Sequence, residues 1–474
     1  MLCRMTTITT PDLGSLGMGI AGGVRAGGFS SQLIHPLDGR YDHARQIWNG
    51  GIDRHPALIA QCATPHDVAL AIAAARRHDV PLAVRGGGHS VVGLGTCDGG
   101  IVADLSPMRR VDVDPAARTM RVGGGALLED LARAGQAYGL AVPPGHVSHT
   151  GVGGITLGGG MGWYHRQLGL IIDNLISAQV VTAEGEVVEA SEDVNPDLFW
   201  ALRGGGGNFG VVTEFRFRAH PLGPTVFSGM MVFEHGRAAE AIHASRAAVE
   251  EHPELMMWEI LAICPPAPQF PEHLRGEPVC LVAATWTGAI EAGRRATEPL
   301  RALGPAVDMT GPMPFAAVHF MADDSAPPGL NFYGRSHWMR EFGGPAVEAM
   351  VEAIASTTSP FGSVLCGRMG GAVADVPAGA TAFAHRDAHS VVWIVNAAVG
   401  GEPEQHFEWV RRTHEAAAPW STGGVYVNAL DRGEEDRLPA AYPEATWARL
   451  VAVKDRWDPE NVFRLNQNVP PSGD

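Results

Sequence analysis

The stretch Arg85-Gly86-Gly87-Gly88-His89-Ser90 follows an apolar run, Pro81-Leu82-Ala83-Val84, that is typical of a buried strand. Glycine has no Cβ atom and adopts positive φ angles without strain, so three glycines in a row allow a tight turn after the strand. Backbone amides in such a turn can converge on an anion. The stretch therefore predicts an anion-binding loop that holds the imidazole of His89 within reach of a bound cofactor.

The segment before this loop predicts a βαβ unit. Residues 57–60 are apolar, as expected for a strand. Thr64-Pro65-His66-Asp67 then combines an N-cap hydroxyl, a proline at the first helical position and a carboxylate at N3, which is the pattern of a capping box. An apolar stripe at helical spacing follows, formed by Val68, Ala71, Ile72 and Ala75. Strand, helix and strand thus lead directly into the loop that carries His89.

Composition excludes several classes of partner. The chain has 474 residues, which predicts two or three domains rather than one core. Its formal net charge is −16 without any block of Lys and Arg, so we expect neither a nucleic-acid partner nor an anionic membrane surface. The six cysteines are scattered without a C-x-x-C pair, so we expect no metal site. No apolar run reaches the roughly 18 residues of a membrane span, so we expect no membrane partner.

Glycine-rich tracts recur after the first loop. The second runs from Pro143 to Gly162, and the third, Gly204 to Gly207, precedes an alternating strand at 211–217. Gly205-x-Gly207-x-x-Gly210 matches the dinucleotide pattern, but a helix precedes it and a strand follows, which reverses the order of a Rossmann unit. We therefore interpret the three tracts as backbone that wraps a long cofactor.

We expect four segments: a flexible N-terminal extension at 1–40, a cofactor-binding domain at 41–223, a substrate-binding domain at 224–418, and a C-terminal segment at 419–474 that returns to the cofactor-binding domain. The first segment lacks a leucine-rich core and a clear cleavage site, so it is interpreted as an extension rather than a signal peptide. This favours a cytoplasmic location. The sequence leaves the oligomeric state open between a monomer and a homodimer.

The order and spacing of these motifs resemble those of the vanillyl-alcohol-oxidase/p-cresol-methylhydroxylase flavoproteins, and specifically of the berberine-bridge-enzyme-like group. The resemblance covers roughly residues 40 to 222 and 420 to 470. Several of the motifs are weak alone, but together they are specific. The motifs are Arg45 to Asn49, Arg85 to Ser90, Asp98 to Ser106, Gly151 to Gly162, Asp173-Asn174, Leu202 to Gly210, and Asp458 to Asn468.

The resemblance implies an α+β fold, in which an FAD-binding module of two α/β subdomains joins a substrate module whose antiparallel sheet is covered by helices. It also implies FAD, attached covalently through His89. The residues that would cradle the pyrophosphate are Arg85, Gly86, Gly87, Gly88, His89, Ser90 and Gly93. Those that would line the flavin and its phosphates are Gly145, His146, Val147, Gly151, Gly153, Gly154, Gly159 and Gly162. Asn208, Gly210, Val211 and Val212 would approach the adenine side, and Asn466 and Asn468 would lie near the isoalloxazine.

Three departures from the group's pattern bear on the expected chemistry. Many members attach FAD a second time through a cysteine, and Val147 stands at that position, so we expect one covalent bond, as in 6-hydroxynicotine-oxidase-like members. Ile155 stands where many members have a histidine near the flavin N1–C2=O edge, so negative charge on the reduced flavin must be stabilised otherwise. Ala429 stands where a tyrosine is common, which leaves the catalytic base open. The candidates for substrate chemistry are Tyr426, Asn428, His385 and Tyr333.

These features predict an FAD-dependent oxidase that moves a hydride from a C–H bond next to an OH or NH of a small metabolite to flavin N5, with O₂ reduced to H₂O₂. In this group a small residue at the position of Gly145 leaves room for O₂, which favours an oxidase. The alternatives are an FAD-dependent dehydrogenase with a non-oxygen acceptor, a catalytically idle flavin-binding protein, and a cofactor-free interaction protein. The methionine and tryptophan residues of the substrate-binding domain favour a small, partly apolar substrate.

Overall fold

The first subdomain is built around a four-stranded sheet that contains the βαβ unit. The computed structural model describes residues 10–143 and 145–473. Strand order is β1-β2-β4-β3, with β2, β4 and β3 parallel and β1 antiparallel to β2. The capping box is confirmed, because Thr64 Oγ1 accepts from Asp67 N and the Asp67 carboxylate accepts from Thr64 N. The elements are α1 (Thr10–Ala26), β1 (Leu33–Ile34), α2 (Tyr41–Ala44), β2 (Leu58–Gln61), α3 (Pro65–His78), β3 (Leu82–Arg85) and β4 (Ile101–Asp104).

The N-terminal region differs from the flexible extension predicted for residues 1–40. Residues 1–9 lie outside the described part, but α1 is a helix that packs against α3 and β2. Its apolar residues Ile20 and Val24 are buried. Gly17 allows the close approach, because a Cβ there would lie 2.2 Å from the carbonyl oxygen of Ala57. At Gly17, a residue type that indicated flexibility is thus a requirement of the packing.

The second subdomain is a five-stranded antiparallel sheet in the order β5-β6-β10-β8-β9. A hairpin with its turn at 184–185 joins β8 to β9, and α7 begins directly after Asn195. A short ladder joins β7 to β11. The elements are β5 (Val111–Asp114), β6 (Thr119–Gly123), α4 (Leu128–Gln136), β7 (Leu140–Ala141), α5 (Val152–Leu157), α6 (His165–Leu168), β8 (Leu175–Val181), β9 (Val187–Ser191), α7 (Pro196–Leu202), β10 (Val211–Arg218) and β11 (His220–Pro221).

The substrate module contains an eight-stranded antiparallel sheet, in which seven strands follow the order β15-β12-β14-β13-β18-β19-β17 and β16 also pairs with β12. The strands are β12 (Thr225–Glu234), β13 (Met256–Ile263), β14 (Pro278–Trp286), β15 (Val307–Asp308), β16 (Gly311–Pro314), β17 (Asn331–Met339), β18 (Ser363–Arg368) and β19 (Ser390–Ala398). The helices are α8 (Ala238–Glu251), α9 (Ile290–Ala296), α10 (Glu298–Ala302), α11 (Gly344–Ile354) and α12 (Pro403–Ala417). The α+β class is therefore confirmed.

Alternation along the strands gives this sheet two different faces. Met257 and Leu261 of β13 belong to the core between the sheet and the helices α8, α11 and α12. Trp258 and Ile260 face the other way, toward the first module, which consists of the first and second subdomains. The sheet is therefore apolar on both faces, and only one of them is covered by helices of its own module.

The C-terminal segment packs against the first module. Helix α13 (Glu444–Trp457) contacts α7. The fully buried Lys454 ammonium lies 2.6 Å from the Asp458 carboxylate and donates to the carbonyl oxygens of Asn208 and Phe463. Within the described ranges, no helix combines the length and apolar composition needed to cross a membrane.

Candidate active site

A cavity of about 1120 Å³ lies between the glycine tracts and the uncovered face of the large sheet. Two of the tracts touch directly, because a Cβ on Gly87 would lie 2.3 Å from Gly151 N, and one on Gly151 would lie 2.2 Å from Gly87 N. A further glycine run, Gly123 to Gly125, packs beside them, where a Cβ on Gly153 would lie 3.1 Å from the carbonyl oxygen of Gly124. The wall is therefore bare backbone at these contacts, and side chains there would force the loops apart.

His89 lies in this wall between two rings. The indole of Trp48 stacks on its imidazole with a centroid distance of 4.3 Å, and His89 Nε2 lies 2.9 Å from His149 Nδ1. Burial, with a smaller contribution from His149, lowers the pKa of His89 to about 3. The imidazole is therefore neutral at physiological pH and has a nucleophilic nitrogen lone pair.

Arg85 forms a buried ion pair with Asp104 at the cavity. Its guanidinium Nη2 lies 2.9 Å from Asp104 Oδ2, and both side chains are buried. The two residues end neighbouring parallel strands and are register partners, which places the pair at the edge of the sheet where the glycine loop begins. Arg85 lines the cavity, but its charge is neutralised by Asp104.

The predicted cofactor residues divide into two sets. Those that line the cavity are Arg85, Gly86, Gly87, Gly88, His89, Ser90, His146, Val147, Gly151, Gly153, Gly154, Gly210, Val211, Val212 and Asn466. Those that lie behind its wall are Gly93, Gly145, Gly159, Gly162, Asn208 and Asn468. Asn208 shows how the second set acts, because its amide donates to the carbonyl oxygens of Gly205 and Gln467 and accepts from Val469 N. It braces the third glycine tract against the C-terminal segment.

Several features of the cavity wall fit a large polar cofactor such as FAD. At Gly154 and Gly207, a Cβ would meet no atom of the described residues within 4 Å, so the backbone there faces open space. Asn466 Oδ1 and His146 Nε2 are buried at this wall, yet no group in residues 10–143 and 145–473 hydrogen-bonds to them. Buried polar atoms without partners indicate a ligand that would supply them.

The wall opposite the glycine tracts is apolar. It is formed by strands β12 to β19, and among their described residues that line the cavity none carries a charged side chain. These residues include Met230, Trp258, Ile260, Ala262, Leu281, Phe332, Leu365, Trp393 and Val395. His146 stands where the two walls meet, with its ring 4.2 Å from that of Trp258, and burial lowers its pKa to about 3.

Tyr426 and Asn428 lie together at the cavity. Gly160 N donates to Tyr426 Oη at 3.1 Å, and Asn428 Nδ2 donates to the same oxygen at 3.0 Å. Asn428 also approaches the carbonyl oxygens of Gly154 and Ile155. Burial raises the pKa of Tyr426, which the two N–H donors partly oppose. The phenol is thus fixed beside the second glycine tract.

The other two candidates for substrate chemistry do not present their side chains to the cavity. His385 stacks on Trp338 behind the wall, and its Nε2 donates to the carbonyl oxygen of Ala441. Tyr333 contributes to the cavity wall, but its ring belongs to the core on the helix side of the sheet, 4.9 Å from Phe407. Alternation along β17 explains this, because the neighbouring Phe332 takes the cavity side and stacks on Trp48.

Sequence reasoning missed four residues of the site. Trp48 and His149 flank His89, and Gly124 belongs to a run, Gly123 to Gly125, whose three glycines were a usable signal. Asp431 also lines the cavity, where its carboxylate accepts from Gly334 N and Arg432 N, and burial raises its pKa to about 6. Asp431 follows Tyr426 by only five residues, and this short spacing was the available signal that both side chains belong to one loop at the site.

Comparison with known proteins identifies the family. A model of the FAD binding domain matches residues 56–191, and a model described as berberine and berberine like matches residues 425–470. (R)-6-hydroxynicotine oxidase of Paenarthrobacter nicotinovorans is 31% identical over 462 residues, which cover 93% of this chain and 97% of that protein. Xylooligosaccharide oxidase of Thermothelomyces thermophilus is 30% identical over 458 residues, which cover 90% of this chain and 89% of that protein.

The fold agrees with this assignment. The crystal structure of 6-hydroxy-D-nicotine oxidase from Arthrobacter nicotinovorans superposes with a TM-score of 0.84 at 28% identity, covering 94% of this chain and 99% of the other. Residues of both matched segments line the same cavity, His89 from the first segment and Tyr426 from the second. The chain belongs to the berberine-bridge-enzyme-like family of the vanillyl-alcohol-oxidase/p-cresol-methylhydroxylase flavoproteins and is an FAD-linked oxidoreductase.

Proposed function

We propose that the protein is an oxidase that carries FAD on His89 through a single covalent bond and oxidises a C–H bond next to an OH or NH group of a small, largely apolar metabolite, with O₂ as electron acceptor. Two relatives are named as oxidases, one of hydroxynicotine and one of xylooligosaccharides. Val147 at the cavity wall has no thiol for a second bond. The neutral imidazole of His89 is a nucleophile in the wall.

The observation that carries the proposed reaction is the placement of Tyr426. Its phenolic oxygen accepts from two N–H donors next to the glycine wall, and its ring lies 6.0 Å from that of Trp393 on the apolar sheet. Bound FAD supplies the two-electron acceptor for the oxidation. The phenol of Tyr426 hydrogen-bonds the substrate heteroatom and relays the proton that leaves it, while the donors Gly160 N and Asn428 Nδ2 stabilise charge on Oη.

The sheet wall supports the proposed substrate class. A carbohydrate has many hydroxyl groups, and each would need a hydrogen-bonding partner when buried. The strand residues that line this cavity are almost entirely apolar, with Ser363 as a small polar exception, and Trp258 and Trp393 offer flat surfaces. These contacts favour an aromatic or alicyclic alcohol or amine, and disfavour a sugar or a charged acid.

The small size of Gly145 favours O₂ over another electron acceptor, although Gly145 itself lies behind the cavity wall. A Cβ there would lie 2.4 Å from Cδ1 of Ile155, which lines the cavity, and 3.0 Å from Cδ1 of Leu128. A larger residue at 145 would therefore push Ile155 into the cavity. In the dehydrogenase alternative, this space would not matter, and the reduced protein would transfer electrons to a quinone or another protein instead.

The proposal is tested with paired substrates and two kinetic phases. We expect aromatic or alicyclic alcohols and amines to bleach the flavin absorbance anaerobically, and mono- or oligosaccharides of similar size to leave it unchanged. Mixing the reduced protein with O₂ should restore the absorbance rapidly and yield one H₂O₂ per substrate. Slow reoxidation by O₂ with fast reoxidation by a quinone would replace the oxidase with the dehydrogenase, and bleaching by saccharides alone would refute the substrate class.

A further inference from the structure

The proposed oxidation of substrate does not use the contact between His89 and His149. The ring nitrogens, Nε2 of His89 and Nδ1 of His149, are 2.9 Å apart, which is hydrogen-bonding distance. Two neutral imidazoles each carry one N–H proton, so in this contact one ring donates and the other accepts. Because Nε2 of His89 faces His149, Nδ1 is the nitrogen left to form a bond with the cofactor.

The backbone around His149 is fixed. Leu128 N and Glu129 N, at the start of α4, donate to the carbonyl oxygens of Thr150 and Ser148. Ser148 in turn donates to the Asp323 carboxylate through its backbone N at 2.8 Å and its hydroxyl at 2.6 Å. The turn that presents His149 is therefore tied to both modules, and the imidazole approaches His89 from a rigid support.

The surroundings make His149 the better proton acceptor of the pair. Burial lowers the pKa of both imidazoles. The carboxylates of Asp323 and Glu129 oppose this effect at His149. At His89, the neighbouring His149 lowers the pKa further, and a hydrogen bond to the backbone of His89 opposes burial to a smaller extent. A proton shared between the rings is consequently stabilised on the His149 side.

We propose that His149 is the positioning residue for attachment of the cofactor: it orients His89 and takes the Nε2 proton as Nδ1 bonds to the 8α-methyl carbon of FAD. This inference rests on the covalent bond to His89 in the proposed function. The new bond joins Nδ1 to the 8α carbon, one C–H bond of that methyl group breaks, and its electron pair reduces the flavin. Reoxidation by O₂ consumes the two electrons and two protons as H₂O₂, so the net change is loss of two hydrogens from histidine and flavin.

The test measures covalent attachment rather than turnover. Full-length wild type, His149→Ala and His149→Gln are produced with limiting flavin and then incubated with FAD in air, and the fluorescence of the denatured, washed polypeptide is followed with time. We expect attachment to be slowed about 100-fold or more in both variants, the usual loss when a general base is removed. Both should still bind FAD noncovalently, as seen by absorbance of the native protein. Free imidazole should restore much of the rate in His149→Ala.

The controls separate the possible failures. His243→Ala removes an exposed histidine on α8 and should attach FAD like wild type. Wild-type attachment rates in His149→Ala or His149→Gln would overturn the role of His149 while leaving the bond to His89 intact. Slow attachment that imidazole does not restore would also overturn it, since orientation of the loop alone would then be affected. Absence of covalent FAD in wild type would refute the His89 bond itself, and this inference with it.

Discussion

The contact between the first two glycine tracts can be tested by adding one methyl group. In Gly151→Ala, the new Cβ would lie 2.2 Å from Gly87 N and 2.7 Å from Gly87 Cα. The backbone of Gly151 has φ −70° and ψ 132°, which alanine adopts readily, so the substitution introduces no conformational strain. Any effect therefore arises from the contact with Gly87.

The magnitude follows from the distance. Ordinary contact begins at 3.4 Å, so the two loops must separate by about 1.2 Å, and overpacking of this kind costs roughly 1–3 kcal/mol. For a module of about 200 residues, each kcal/mol lowers Tm by about 2–4 °C. We expect Gly151→Ala to lower Tm by roughly 2–12 °C and to reduce the fraction of protein that retains FAD.

Gly154→Ala is the matched control, three residues further along the same tract. Its Cβ would meet no described atom within 4 Å, and alanine within helix α5 should stabilise the FAD-free protein by roughly 0.5–1 kcal/mol. Because this Cβ points into the cavity, we expect weaker FAD retention despite the higher Tm. Thermal unfolding followed by circular dichroism, with and without FAD, measures both effects.

In the FAD-free protein, Gly151→Ala must lower Tm and Gly154→Ala must raise it. If Gly151→Ala unfolds at the wild-type temperature and binds FAD normally, the glycine tracts do not meet as described. If Gly154→Ala retains FAD with wild-type affinity, the cofactor does not lie against that part of the wall.

Three further predictions concern chemistry and pH. Tyr426→Phe should slow anaerobic flavin reduction by about 10²–10⁴-fold without changing FAD content, and normal reduction would remove Tyr426 from the mechanism. Val147→Cys places a thiol at the cavity wall and should create a second flavin bond, so an unchanged flavin spectrum would contradict the placement of the ring. Burial lowers the pKa of His146 and His319 to about 3 and that of His165 to about 4, from the ordinary value of 6.5. Between pH 6.5 and pH 4, the unfolded chain therefore binds more protons than the folded protein. The free energy of unfolding should therefore fall as pH drops from 6.5 to 4, and a flat profile would show that these histidines are not buried neutral.

Local signals in the sequence were sufficient for the elements that surround the site. The capping box at Thr64 and the apolar run before Arg85 determine α3 and β3, because both depend on residues only a few positions apart. The packing of α1 was not predictable in this way, since its glycines indicate flexibility until the carbonyl of Ala57 is known to lie against Gly17.

Long-range contacts within the site were beyond the reach of local patterns. The pair His89 and His149 is separated by 60 positions, and nothing near either residue specifies the other. Likewise, Tyr333 was a reasonable candidate for substrate chemistry, but a shift of one residue along a strand exchanges the two faces, and Phe332 has the cavity side. Resemblance to a family predicted that the glycine tracts share one site because it carries information about such distant contacts.

The proposed function depends on a single FAD bound covalently to the imidazole of His89 in the glycine wall. Mass spectrometry of the denatured wild-type protein, followed by peptide mapping, tests this directly. We expect the mass of the polypeptide to be increased by that of one FAD less two hydrogens, and we expect the peptide that contains His89 to carry this added mass. A polypeptide of unmodified mass, or a flavin attached to any other residue, would contradict it.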